Sequence, residues 1–82
     1  MWAPPAAAAF DALDARDPRM ADRLLAALTR YALTGQGDVR PLTDRPGYRL
    51  RAGEWRVLFT HDATRHELLV RAIANRRDVY RP

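Results

Sequence analysis

The hydrophobic period of this chain changes once, and that change limits the possible folds more than any other feature. Before Gly35-Gln36-Gly37, apolar residues recur at helical spacing; after it they alternate. Pro4 and Pro5 suit the first turn of a helix that continues through Phe10 and Leu13 to about Ala15. Asp17 can cap a second helix, with Pro18 at its first position and Gly35 as terminator. Met20, Leu24, Leu25, Leu28 and Tyr31 then form one apolar face, read as a core face. Beyond the glycines, 39–43 reads as a short strand, placed at an edge by Pro41, and 44–47 as a loop. Segments 48–51, 54–61 and 66–73 read as three strands joined by short turns, hence an antiparallel meander, followed by a polar tail from Asn75. The expected class is α+β, with two N-terminal helices packed on one face of a small twisted antiparallel sheet.

Composition narrows what such a fold can do. A chain of 82 residues makes one domain, 1–82, with a modest core and no room for a cofactor domain. Cysteine is absent and histidine occurs only at His61 and His66, so thiol catalysis is excluded and neither metal nor cofactor is expected. MWAPPAAAAF lacks a basic start and a long apolar run, so it is not read as a leader; nothing reaches membrane-spanning length, and a cytoplasmic protein without a membrane partner is expected. All 14 cationic side chains are arginine. Guanidinium grips phosphate bidentately but is a poor proton acceptor. Residues 1–38 carry four Arg against five Asp, whereas 39–82 carry ten Arg against five acids. The second half therefore suits a polyanion.

Those arginines acquire geometry if Ala52-Gly53 is a two-residue hairpin loop. Arg51 then faces Glu54, Leu50 faces Trp55, and Arg49 faces Arg56. Tyr48, Leu50, Trp55, Val57 and Phe59 share one face, suited to receive the helices; Arg49, Arg51, Glu54 and Arg56 share the other. With 62–65 as the next loop, His61 faces His66 and Arg56 faces Arg71. Arg49, Arg56 and Arg71 would then form a row across three strands. Like charges directly opposed cost about 0.2–1 kcal/mol per pair, and phosphates lying across them reverse the sign. Each arginine alone reads as solvated surface; the set reads as an anion site. Tyr80 can stack on a base or donate a phenolic proton, and equally can seal the sheet edge. The histidines beside their turn read first as solvated.

GDVRPL, then GYRLRAGEWRVLF, then a strand leading into NRRDVY, after two helices, resembles the RelE/ParE superfamily of type II toxins. The typical pattern there is a YRLRxGDYRVxY hairpin and a terminal HRxDVY. The resemblance runs from Pro18 to the end and implies the α+β fold already reached. For the RelE branch it implies a ribosome-dependent endoribonuclease, an mRNA interferase that inhibits translation, in which a ribose 2′-hydroxyl attacks the adjacent phosphate. Carried over by position, Arg49 and Arg51 would contact substrate phosphate and the transition state. Arg56 and Arg76 would hold the scissile phosphate, and Tyr80 would be the assisting tyrosine. Arg40, Arg45, Arg71 and Arg77 would add phosphate contacts. Implied partners are a cognate antitoxin, the ribosome and mRNA. The alternatives are a ParE-like inhibitor of DNA gyrase without nuclease activity, or an inert antitoxin-binding relative. Three departures stand out. The first strand of the family shrinks here to, at most, a stub from Met1-Trp2-Ala3. Asn75 stands where relatives often carry histidine. Arginine replaces hairpin lysines, which leaves proton abstraction to the ribosome, His61 or His66.

Overall fold

The computed structural model describes residues 1–62 and 64–76. Its elements are α1 (Pro4–Arg16), α2 (Pro18–Thr34), β1 (Val39–Pro41), β2 (Tyr48–Ala52), β3 (Trp55–Asp62) and β4 (Glu67–Asn75). The four strands form one antiparallel sheet in sequence order, and both helices pack on one face of it. The expected α+β class is the observed one.

Alanine-rich α1 needs little beyond its propensity and its two starting prolines, and it buries Ala6 and Leu13. The boundaries of α2 follow their sequence signals. Asp17 Oδ1 accepts from the Met20 N–H at 3.2 Å, and Gly35, at φ 72°, ends the helix by donating to the Tyr31 carbonyl at 2.8 Å. Ala21, Leu24 and Leu28 meet Leu50, Ala52, Val57, Phe59, Val70 and Ile73 in the core. The ring of Phe59 lies between those of Tyr31 and Tyr48, with centroids 5.3 and 5.6 Å away.

Four details depart from expectation. β1 stops at Pro41, two residues early, because proline offers the ladder no N–H; the Leu42 N–H turns instead to the Gly47 carbonyl at 2.9 Å. The first hairpin turns at Gly53-Glu54, with Ala52 opposite Trp55. The left-handed conformation thus falls on Gly53, at φ 60°, and Ala52 is spared it. Pairing shifts by two residues, so each side chain that stays in a strand keeps its expected face while its partner changes, and Glu54 leaves the strand for the turn. In the second hairpin His61 faces Leu68, not His66, and Asp62 faces Glu67.

The fourth departure is a bulge in β4. Leu58 faces Ala72 while Phe59 faces Val70, so Arg71 is the extra residue. The reason is legible in the spacing of Val70 and Ile73. Three residues apart, they would point to opposite faces of a regular strand, yet both are buried in the helix-facing core. The extra residue reconciles them. Together with the two hairpin shifts it leaves no Arg49–Arg56–Arg71 row, since Arg49 faces Leu58 and Arg56 faces Ala74.

The far edge of β4 is covered by the first three residues. Val70 donates to the Met1 carbonyl at 2.9 Å and accepts from the Ala3 N–H at 2.8 Å, forming a single parallel bridge at Trp2. The Trp2 ring then meets Phe10 edge-on at 5.2 Å. The stub is present.

Gly47 is the tightest backbone position. At φ 121°, a β-carbon there would sit 2.9 Å from the Phe59 carbonyl oxygen. Backbone strain alone costs on the order of 1–3 kcal/mol, and the clash adds to it. Gly47→Ala is expected to lower Tm by roughly 10 °C or more in a thermal melt. A melting temperature equal to wild type would contradict this placement of the 42–47 loop on β3.

Candidate functional site

The sheet face opposite the helices carries the chemistry. Pairing sets Arg40 opposite Arg49 and Arg51 opposite Arg56, so two like-charged pairs lie side by side on three neighbouring strands. With Asp38 these four arginines line a concavity of about 120 Å³. That is room for roughly four waters, the scale of one phosphate group.

Asp38 is the acid in this setting. Its carbonyl accepts the Arg51 N–H at 2.9 Å, which fixes its backbone against β2. Its Oδ2 then meets Arg51 Nε at 2.7 Å. Both side chains are substantially exposed, so the pair contributes little to stability. Its consequence is positional: Arg51 is held at the concavity, and a carboxylate is kept beside three further guanidiniums. Arg56 differs from the other three in being only 5 % exposed. Its Nη1 donates to the carbonyls of Gly53 and Trp55 at 3.0 and 3.1 Å. One of its nitrogens is therefore committed to the hairpin turn, giving Arg56 a structural task the sequence did not reveal.

Of the expected site residues, Arg40, Arg49, Arg51 and Arg56 come together. Arg45 and Arg71 do not join them; they flank a separate, larger cleft on the same face. Arg76 lies just past β4, where its N–H donates to the Glu54 carbonyl, and it does not line the concavity. Arg77 and Tyr80 fall outside the described residues. His61 and His66 line a small hollow with Tyr31 and Gly35 at the end of α2, away from the arginines. Among the described residues no three metal-ligating side chains gather, and no helix is long and apolar enough to cross a membrane.

Asp38 is the residue that sequence reasoning missed. Its signal was parity: two positions before Arg40, it lies on the same side of an extended segment. Leu58 is a second case. Val57-Leu58-Phe59 is an unbroken apolar run in an otherwise alternating strand, so one member had to face the arginine side.

No protein-family model and no curated protein matches the sequence. Solved structures match it in fold. A chain of the YoeB-YefM complex from Staphylococcus aureus aligns with a TM-score of 0.76 at 16% identity, over 89% of this chain and 90% of that one. A chain of the heterotetrameric YoeB-YefM toxin-antitoxin complex from the same organism gives 0.75 at 18% identity, over 88% of each. A chain of the RelB-RelE antitoxin-toxin complex from Methanococcus jannaschii gives 0.75 at 12% identity, over 100% of this chain and 99% of that one. At such identities the likeness is one of fold. Two helices on one face of a four-stranded antiparallel sheet is the fold this chain shares with those chains.

Proposed function

We propose that this chain is the toxin of a type II toxin-antitoxin pair and acts as a ribosome-dependent mRNA endoribonuclease. The observation that carries the reading is the concavity itself: four arginines and one carboxylate converge on the sheet face the helices leave open. Directly opposed guanidiniums repel, the Asp38 carboxylate offsets part of that charge, and a bound anion would offset more. An RNA phosphate would supply such an anion, and a guanidinium can meet it with charge-assisted hydrogen bonds.

The chemistry requires no metal. Asp38 takes the proton of a ribose 2′-hydroxyl, and the resulting oxyanion attacks the adjacent phosphorus. The P–O5′ bond breaks to leave a 2′,3′-cyclic phosphate, and the departing 5′-oxygen is protonated by solvent or by a ribosomal group. Arg49 and Arg51 stabilise the charge that builds on the phosphoryl oxygens. Arg40 extends the positive surface along the strand, and Arg56 acts chiefly by holding the turn that presents Arg51. Arg76, Arg77 and Tyr80 are retained as contacts on the basis of the terminal motif.

The solved neighbours are toxin-antitoxin complexes, which supports a cognate antitoxin as partner; the excess of arginine in the second half suits an acidic one. The neighbours lend the gyrase alternative no support. Induced expression in a bacterial host is expected to stop incorporation of labelled methionine within minutes, without inducing a DNA-damage reporter. A damage response with translation still running would overturn the proposal in favour of gyrase.

A further inference from the structure

We propose that the cleft beside the arginine concavity is a nucleobase site, a reading that rests on the RNA function proposed above and extends it. The register supplies the argument. Arg40, Arg49, Leu58 and Ala72 form one straight row across all four strands. Neighbouring strands are ~4.8 Å apart, so a phosphate on Arg49 stands one strand from Leu58. Leu58 and Ala72 are where the neighbouring cleft begins, with a volume of about 530 Å³.

The chemistry of that cleft differs from the concavity. Its walls are mainly apolar, with Leu42 on the loop side, Leu58 and Ala72 on the sheet, and Thr60 among them. Such walls suit a second phosphate poorly and suit the flat face of a base well. Arg45 from the loop and Arg71 from the bulge flank the opening. A guanidinium plane stacks on a base as readily as it pairs with phosphate. The bulge thus has a use beyond packing. Arg71 is the extra residue there, without a partner position on β3, and it lines this cleft. An apolar peptide is the weaker occupant, because two cations stand at the opening.

Three probes separate this inference from the reading beneath it: inorganic phosphate, ribose 5-phosphate and adenosine 5′-monophosphate, each titrated into the protein and followed residue by residue by NMR. All three are expected to shift the amides of Arg49 and Arg51. Only the nucleotide is expected to shift Leu58 and Ala72 as well, and to bind at least ~10-fold more tightly than ribose 5-phosphate. Ala72→Leu, which fills the cleft, is expected to erase that preference while leaving ribose 5-phosphate affinity unchanged. Arg71→Gln, an exposed change that does not disturb packing, is expected to reduce the preference several-fold. Equal affinity for nucleotide and ribose 5-phosphate in the wild-type protein would overturn the base site while leaving the phosphate site standing. Absence of any shift at Arg49 and Arg51 with all three probes would overturn both.

Discussion

Truncating Phe59 to alanine is expected to cost about 3–5 kcal/mol, the largest stability loss of any single substitution proposed for this chain. Phe59 is 1 % exposed on the central strand β3. It also lies between two aromatic rings, one from α2 and one from β2, so its loss opens a cavity where helix and sheet meet. A chain of 82 residues has a total stability of only about 4–12 kcal/mol, so the variant would lose between roughly a quarter and all of it. Urea denaturation followed by circular dichroism reads the effect as a fall in midpoint. Leu33→Ala is the matched control: Leu33 is 80 % exposed on α2, and the variant's stability is expected to stay within about 0.5 kcal/mol of wild type. A Phe59→Ala cost below about 1 kcal/mol would mean that the core is not built around this ring.

Arg49→Ala is expected to slow mRNA cleavage by about 10²–10³-fold with little change in stability. Arg49 sits at the crossing of the two features that define the site, opposite Arg40 on one side and Leu58 on the other. Under the proposed mechanism, removing it would take away a donor for the charge that develops during phosphoryl transfer, where a single group has its greatest effect. Arg49→Lys should recover only part of the rate, since an ammonium cannot reproduce the planar two-pronged grip. Two neighbours make the comparison informative. Arg56→Ala should lower both rate and stability, because its guanidinium is tied to the hairpin turn. Asp38→Asn should split the parameters, binding RNA more tightly while cleaving it more slowly, since in the proposed mechanism the same carboxylate repels phosphate and accepts the proton. Cleavage rates on programmed ribosomes at saturating protein, paired with unfolding midpoints, check all three. An Arg49→Ala rate equal to wild type would refute the phosphate role of this face.

How much of this was legible in the sequence depended on whether the signal was local. The α2 helix was, because its cap, its first-turn proline and its terminal glycine sit at fixed offsets within one segment. The two faces of the sheet were legible as well, because alternation alone decides them. The hairpin shift from Ala52-Gly53 to Gly53-Glu54 was not, because both turns leave every residue that stays in a strand on the same face. What changed was the partner, and that turned an expected Arg49–Arg56 opposition into Arg51–Arg56. The bulge at Arg71 is a property of two strands together and was visible only as the awkward spacing of Val70 and Ile73. A single bridge at Trp2 leaves no period to detect. The clustering of the arginines on β1 to β3 was accordingly legible and their row misjudged, while Asp38 went unnoticed just ahead of β1.

The most direct test of the central claim is primer extension on a reporter mRNA in a reconstituted translation system, with purified protein added in the presence and absence of ribosomes. The account predicts cuts inside the reading frame that require ribosomes and that vanish when Arg49 is replaced by alanine. An intact message at micromolar protein, with ribosomes present and translating, would contradict it.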